Sequence, residues 1–129
     1  MVEEINKVRH LEGKGEFDYD YLNDILFFKV KDRNYDRSIE TDRFVIDIDE
    51  ENFVVGIQIF DASEFFKLSK HILRNVQKWQ LQAGIRENVI EIRVIFATVF
   101  RSKITEQKPI IIERLKEPLP NSQVVCSVR

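Results

Sequence analysis

Between Glu16 and Ile59 the chain repeats one pattern, in which apolar and polar residues alternate and a short polar turn follows. In Glu16-Phe17-Asp18-Tyr19-Asp20-Tyr21 rings interleave with carboxylates. Leu26, Phe28 and Val30 share one side of Ile25 to Lys31, and Phe44, Ile46 and Ile48 alternate with Val45, Asp47 and Asp49. Phe53, Val55, Ile57 and Ile59 form a return run, and a weaker strand is expected around Ser38 to Thr41. A period of two is the mark of a strand with one wet face. The linkers Leu22-Asn23-Asp24, Lys31 to Asp36 and Glu50-Glu51-Asn52 carry turn chemistry and are too short for a parallel crossover. An antiparallel β-meander of four or five strands is the expected result.

At Asp61 the period changes. Asp61-Ala62-Ser63-Glu64 has the form of a capping box, a side-chain oxygen followed three residues later by a glutamate. Phe65, Leu68, Ile72, Val76, Trp79 and Ala83 then recur at helical spacing, with Lys67, Lys70, His71, Arg74 and Lys78 opposite them and Gly84 as a C-cap. One amphipathic helix is expected. A β segment follows from Asn88 to Arg101, with Ile90, Ile92, Val94, Phe96 and Phe100 on one face and a second face that turns apolar at Ile95, Ala97 and Val99. Such a two-faced strand needs cover on both sides. Thr105 to Lys108 is read as a turn, with Ile110 to Leu115 pairing back behind Pro109. Glu117 to Pro120 is read as a stiff tail and Gln123 to Val128 as a last edge strand. Upstream, Ile5, Val8 and Leu11 make a short helical stripe that Gly13-Lys14-Gly15 breaks. The fold class expected is α+β: an antiparallel β-meander followed by one amphipathic helix and a C-terminal β-hairpin. It is expected as a single domain over residues 1–129, with residues 86–129 as the hairpin extension.

A chain of 129 residues with 43% hydrophobic content can close a core without disulfides or metals. No apolar run approaches the ~20 residues of a membrane helix, and the first residues do not read as a secretory signal. The single cysteine, Cys126, cannot form an internal disulfide and suits a cytoplasmic setting. Charged residues reach 33%, a composition that hints at a thermophilic source. The net charge of −2 hides a split: residues 1–64 hold 17 Asp and Glu against 8 Lys and Arg, while residues 65–129 hold 5 against 12. Such a split points to halves that face each other, within one chain or across a dimer, and otherwise to an acidic or nucleic-acid partner.

Catalytic constellations are missing from the spacing. Gly13-Lys14-Gly15 lacks the spaced glycines and following helix of a phosphate-cradling turn. His10, Ser63, His71 and Cys126 are scattered, with no spacing that marks a nucleophile and its base or a zinc site. The pairs Asp18 and Asp20, and Asp47 and Asp49, each share an expected strand face at ~6–7 Å. They could serve a divalent cation or a small metal-dependent hydrolase, but a solvated strand face explains them as well. Four cations, Lys67, Lys70, Arg74 and Lys78, line one face of the expected helix and are the candidate binding residues. The acidic first half and the pI of 5.8 dilute that field. No catalytic residue, metal ligand or cofactor is assigned.

Two stretches carry a resemblance. Tyr19-Asp20-Tyr21-Leu22-Asn23-Asp24, and Val45 to Asn52 continuing as Gly56-Ile57-Gln58-Ile59-Phe60-Asp61-Ala62-Ser63, resemble a family of small prokaryotic domains of unknown function. Its pattern is a Tyr-Asp-x-x-x-Asp hairpin, an Asp-rich turn and Gly-Ile-x-Ile-x-Asp-Ala-Ser leading into a helix. The resemblance covers residues 16–75, and it implies a meander-plus-helix fold and pairing with a partner protein, without an activity. The function expected is a non-catalytic interaction module that self-associates as a homodimer through the strand at Val89 to Phe100 or its hairpin. The alternatives are a nucleic-acid-associated regulator using the basic face, and the small hydrolase built on the aspartate pairs.

Overall fold

The computed structural model describes residues 8–76, 78–100 and 103–128. The strands are β1 (Arg9–Asp20), β2 (Ile25–Val30), β3 (Tyr35–Glu40), β4 (Phe44–Asp49) and β5 (Val54–Ile59). Two short helices follow, α1 (Ala62–Phe66) and α2 (Lys70–Arg74). The chain continues as β6 (Trp79–Arg86), β7 (Val89–Phe100), β8 (Lys103–Gln107), β9 (Ile110–Arg114) and β10 (Ser122–Val128). The sheet order is β3-β4-β5-β2-β1-β10-β6-β7-β8, with β9 also on β7.

This overturns the expected α+β class. The described residues are mostly β, and the two helices among them are five residues each. The hairpins β1–β2, β3–β4 and β4–β5 form as expected and are antiparallel, but the continuous meander does not: β2 pairs with β5 rather than with its sequence neighbour β3. The single amphipathic helix does not form either. It stops at Lys67, which adopts a left-handed φ of 55° while its N–H bonds back to the Glu64 carbonyl. Ser69 then starts a new helix, its hydroxyl accepting from the Ile72 N–H at 3.2 Å. Beyond Asn75 the period is two: Trp79, Leu81, Ala83 and Ile85 are buried on one face of β6, and Gln80, Gln82 and Gly84 face outward. Trp79 and Ala83 are four residues apart, a spacing that suits a helix face and a strand face alike. Leu81 and Ile85 fit only the strand.

Three further expectations fail. Of the helical stripe expected at Ile5, Val8 and Leu11, Ile5 lies outside the described residues and Leu11 belongs to β1, as do Gly13 and Gly15. Gly84 caps no helix; the chain turns at Glu87 and Asn88, both at positive φ (50° and 64°), as a tight hairpin of this hand requires. The segment from Thr105 to Gln107 is strand rather than turn, pairing with Phe96 to Thr98. β8 and β9 lie end to end on the edge of β7 opposite β6, in unbroken register across Lys108 and Pro109.

The last strand is central rather than an edge. β10 runs parallel to the first half of β1, from Arg9↔Ser122 to Lys14↔Ser127, and antiparallel to β6. The second half of β1 pairs with β2 instead. β1 therefore joins strands β2–β5 to the C-terminal strands, and the aromatic centre of the core draws on both sides. Trp79 of β6 packs on Phe96 of β7 at 4.5 Å, on Phe17 of β1 at 5.3 Å and on Phe28 of β2 at 5.3 Å. Phe66 of α1 closes the cluster edge-on to Phe96 at 5.2 Å. The acidic and basic halves of the chain meet through this core, and the ion pair from Arg37 Nε to Glu117 at 2.7 Å crosses between them.

Candidate functional site

Asp24 organises the corner where β1, β2 and α1 meet. It ends the β1–β2 turn at a positive φ of 56°, a conformation that aspartate tolerates better than most residues. Its side chain is buried. The Tyr19 hydroxyl donates to Oδ1 at 2.5 Å, the Ser63 hydroxyl to Oδ2 at 2.5 Å, and the Ser63 N–H to Oδ1 at 3.0 Å. The Asp24 carbonyl accepts from the Ala62 N–H at 3.0 Å. The expected Asp61 capping box does not form, because Asp61 is left-handed and makes no side-chain cap. Asp24, from the β1–β2 turn, caps α1 instead. Burial works to raise the Asp24 carboxyl, but the bonds from Ser63 and Tyr19 and the charge of Lys70 prevail and hold it below the usual carboxylate range. The Tyr19 phenol is pushed up by burial and by donating to that carboxylate.

The aspartates of β4 are also engaged in structure. Asp49 is buried, bonds Arg33 Nε at 2.8 Å, and accepts the N–H groups of Phe53 at 2.8 Å and Glu51 at 3.0 Å. The bond to Asp49 raises the Arg33 guanidinium. Arg9 and Arg33 both lie over the Phe53 ring, at 4.2 and 5.6 Å. Asp47 takes the Ser38 hydroxyl at 2.8 Å, and a β-bulge separates it from Ile48. Gly56 faces it on β5: a Cβ there would stand 2.7 Å from Asp47 Oδ2 and 3.1 Å from the Phe28 carbonyl. Asp18 is exposed, whereas Asp20 accepts from the Asn23 side chain at 2.8 Å, a bond that lowers its carboxyl. Among the described residues, no three His, Cys, Asp or Glu side chains gather as a metal site.

The four candidate cations fall on separate elements. Lys67 ends α1, Lys70 and Arg74 belong to α2, and Lys78 precedes β6. Lys70 and Arg74 stand over the Tyr21 ring at 5.7 and 5.0 Å. Lys78 borders a shallow hollow with Gln80, Ile95, Ala97 and Glu106. Trp79, the aromatic beside it, is 2% exposed and belongs to the core. His10 and His71 are exposed on β1 and α2, while Cys126 is buried on β10 with its thiol pushed up by that burial.

Three exposed isoleucines lie on β8 and β9. Ile104, Ile110 and Ile112 are 72%, 46% and 65% exposed. The Val94 N–H donates to the Pro109 carbonyl at 3.1 Å, and the Leu115 N–H to the Asn88 carbonyl at 2.7 Å. Odd-numbered residues of β9 thus turn their backbone toward β7. By the alternation of an antiparallel ladder, Ile110, Ile112 and Arg114 turn theirs outward. Pro109, which would blunt an edge if it faced out, faces in. Beside this edge, Gln82, Gly84, Arg86, Glu91, Arg93 and Ile112 line a shallow cavity of about 340 Å³ on the outer face. The isoleucines were legible as strand residues, but only the topology shows that they stand on an edge with no further strand beside it among the described residues.

Residues 16–63 match a family described as "Protein of unknown function (DUF2283)". A Methanosarcina mazei protein named "Putative hypoxanthine phosphoribosyltransferase" is 32% identical over 92 residues, spanning 71% of this chain and 75% of that protein. An uncharacterized protein of Methanocaldococcus jannaschii is 32% identical over 91 residues, spanning 70% of this chain and 78% of its own length. No solved structure matches. The matched segment runs from the middle of β1 to the start of α1, so it contains Tyr19, Asp24, Gly56 and Ser63, whose contacts give the Tyr-Asp-x-x-x-Asp and Gly-Ile-x-Ile-x-Asp-Ala-Ser motifs a structural reason. The chain belongs to this family of proteins of unknown function, DUF2283.

Proposed function

We propose that the protein is a non-catalytic interaction module that self-associates through its C-terminal hairpin. The observation that carries this reading is the β8–β9 edge, where three exposed isoleucines accompany outward-facing backbone groups. An edge strand with unpaired N–H and C=O groups is a template for another strand, and natural sheets blunt such edges unless they are used. Here the inward-facing proline leaves the edge open, and Ile110 and Ile112 supply apolar cover for a partner. The family motifs support the same reading, because their polar residues bond one another rather than facing a cleft.

The transferase named for the Methanosarcina relative gains no support from this geometry. A phosphate cradle is built at a glycine-rich turn opening a helix, and Gly13 and Gly15 lie within a strand. Nucleic-acid binding by Lys67, Lys70, Arg74 and Lys78 is the second reading, favoured by the two cations flanking Tyr21. Unchanged retention on heparin after replacing all four with Gln would dismiss it.

The test of the main reading is light scattering on the unmodified chain and on a double variant, Ile110→Lys with Ile112→Lys. The reading expects a dimer for the first and a monomer for the second. A dimer that survives both substitutions places the contact elsewhere.

A further inference from the structure

Resting on that self-association, the geometry points to one register: two copies pair β9 against β9, antiparallel, about a twofold axis at Ile110. We infer it from the charge order along the outward-facing residues Glu106, Lys108, Ile110, Ile112 and Arg114. An isologous pair of antiparallel edges must place each residue opposite its mirror position on the second copy. Only residues whose backbone groups face outward can exchange ladder bonds, so even-numbered residues must meet even-numbered ones.

With the axis at Ile110, Glu106 of each copy faces Arg114 of the other, twice by symmetry. Ile110 meets its own counterpart, and Lys108 lays its aliphatic stem along Ile112 of the other copy. Neighbouring registers are worse. Centring on Ile111 sets Lys108 against Arg114, and centring on Lys108 sets that lysine against itself. Centring on Pro109 leaves every charge opposite an isoleucine, and centring on Ile112 sets Lys108 against Lys116. The register at Ile110 is the one that joins opposite charges and opposes no like ones. Opposite charges directly across a ladder stabilise it and like charges weaken it. Arg114 makes no salt bridge among the described residues, whereas Glu106 reaches Lys108 at 3.0 Å on the exposed surface and can exchange it for a facing arginine. The paired edges would extend the two sheets into one.

Cysteine cross-linking separates this register from the broader reading. Ile110→Cys brings two thiols opposite each other, with Cα atoms ~5.5 Å apart as in a hydrogen-bonded antiparallel pair, within disulfide reach. Ile112→Cys leaves its thiols four residues out of step, ~13 Å along the strand. Under mild oxidation the first variant is expected to form a covalent dimer and the second to remain uncrosslinked; Cys126 is buried and serves as the internal control. In parallel, Glu106→Arg is expected to weaken the dimer roughly tenfold, and adding Arg114→Glu to restore it. A chain that is dimeric by light scattering but cross-links at Ile112, or at neither position, overturns the register and leaves self-association standing. A monomeric chain overturns both.

Discussion

The Tyr19 hydroxyl lies 2.5 Å from a carboxylate oxygen of Asp24, and the same carboxylate caps α1 through the Ser63 N–H and hydroxyl. One buried side chain thereby ties the first hairpin to the first helix, across 39 residues of sequence. Replacing Asp24 with Asn keeps the shape and the tolerance of positive φ but removes the charge and one acceptor. Hydrogen bonds to a charged group are worth ~1.5–3 kcal/mol each, so Asp24→Asn is expected to lower unfolding free energy by ~2–4 kcal/mol. Urea denaturation of the two proteins measures it, and a change within ~0.5 kcal/mol would remove Asp24 from its central place.

The same pair predicts a pH profile. The Asp24 carboxyl is lowered on folding, so its contribution is present above its unfolded value of ~3.9 and is lost as pH falls through the lower folded value. The Tyr19 phenol is raised on folding, so its contribution is present below ~10 and is lost as pH climbs from there toward the folded value. Unfolding free energy should decline at both ends. Asp24→Asn should flatten the acid limb and Tyr19→Phe the alkaline one.

Gly56 stands where any Cβ meets the Asp47 carboxylate at 2.7 Å and the Phe28 carbonyl at 3.1 Å. The carboxylate can swing aside, but the carbonyl belongs to the neighbouring strand of the same sheet. Gly56→Ala should therefore cost ~1–3 kcal/mol, and adding Asp47→Ala should recover only part of it. Full recovery in the double variant would assign the whole conflict to the side chain.

Glu87 holds a left-handed φ of 50° in the β6–β7 turn with no glycine to relieve it. Asn adopts this conformation more readily, and a left-handed residue costs ~1–2 kcal/mol when its side chain is unsuited. Glu87→Asn is expected to raise the melting temperature, with a gain of up to ~1 kcal/mol. An unchanged or lower melting temperature would show that the turn is not strained.

The strands before Asp61 were legible because apolar residues recur with a period of two along them, but their order was not: β2 lies against β5 rather than β3, and no local pattern encodes that pairing. The rest of the chain was harder for identifiable reasons. Val76, Trp79 and Ala83 continue the stripe of Phe65, Leu68 and Ile72 at helical spacing, so a strand could pass for a helix until Leu81 and Ile85 are weighed. The turn at Glu87 and Asn88 lacks the glycine that usually marks such a bend. Strand pairing between Arg9 and Ser122 spans nearly the whole chain, and no local pattern encodes it. The cap on α1 was misplaced for the same reason: Asp61 is local and fits the motif, but Asp24 arrives through the fold. The edge isoleucines were visible as residues, yet their significance depends on which strand is last.

The central claim is that the open β8–β9 edge joins two copies of the chain, and sedimentation equilibrium at micromolar concentration tests it most directly. The account predicts a species of twice the 15.4 kDa chain mass, dissociating when Ile110 and Ile112 are replaced by lysine. A single species at the chain mass throughout that range would contradict it.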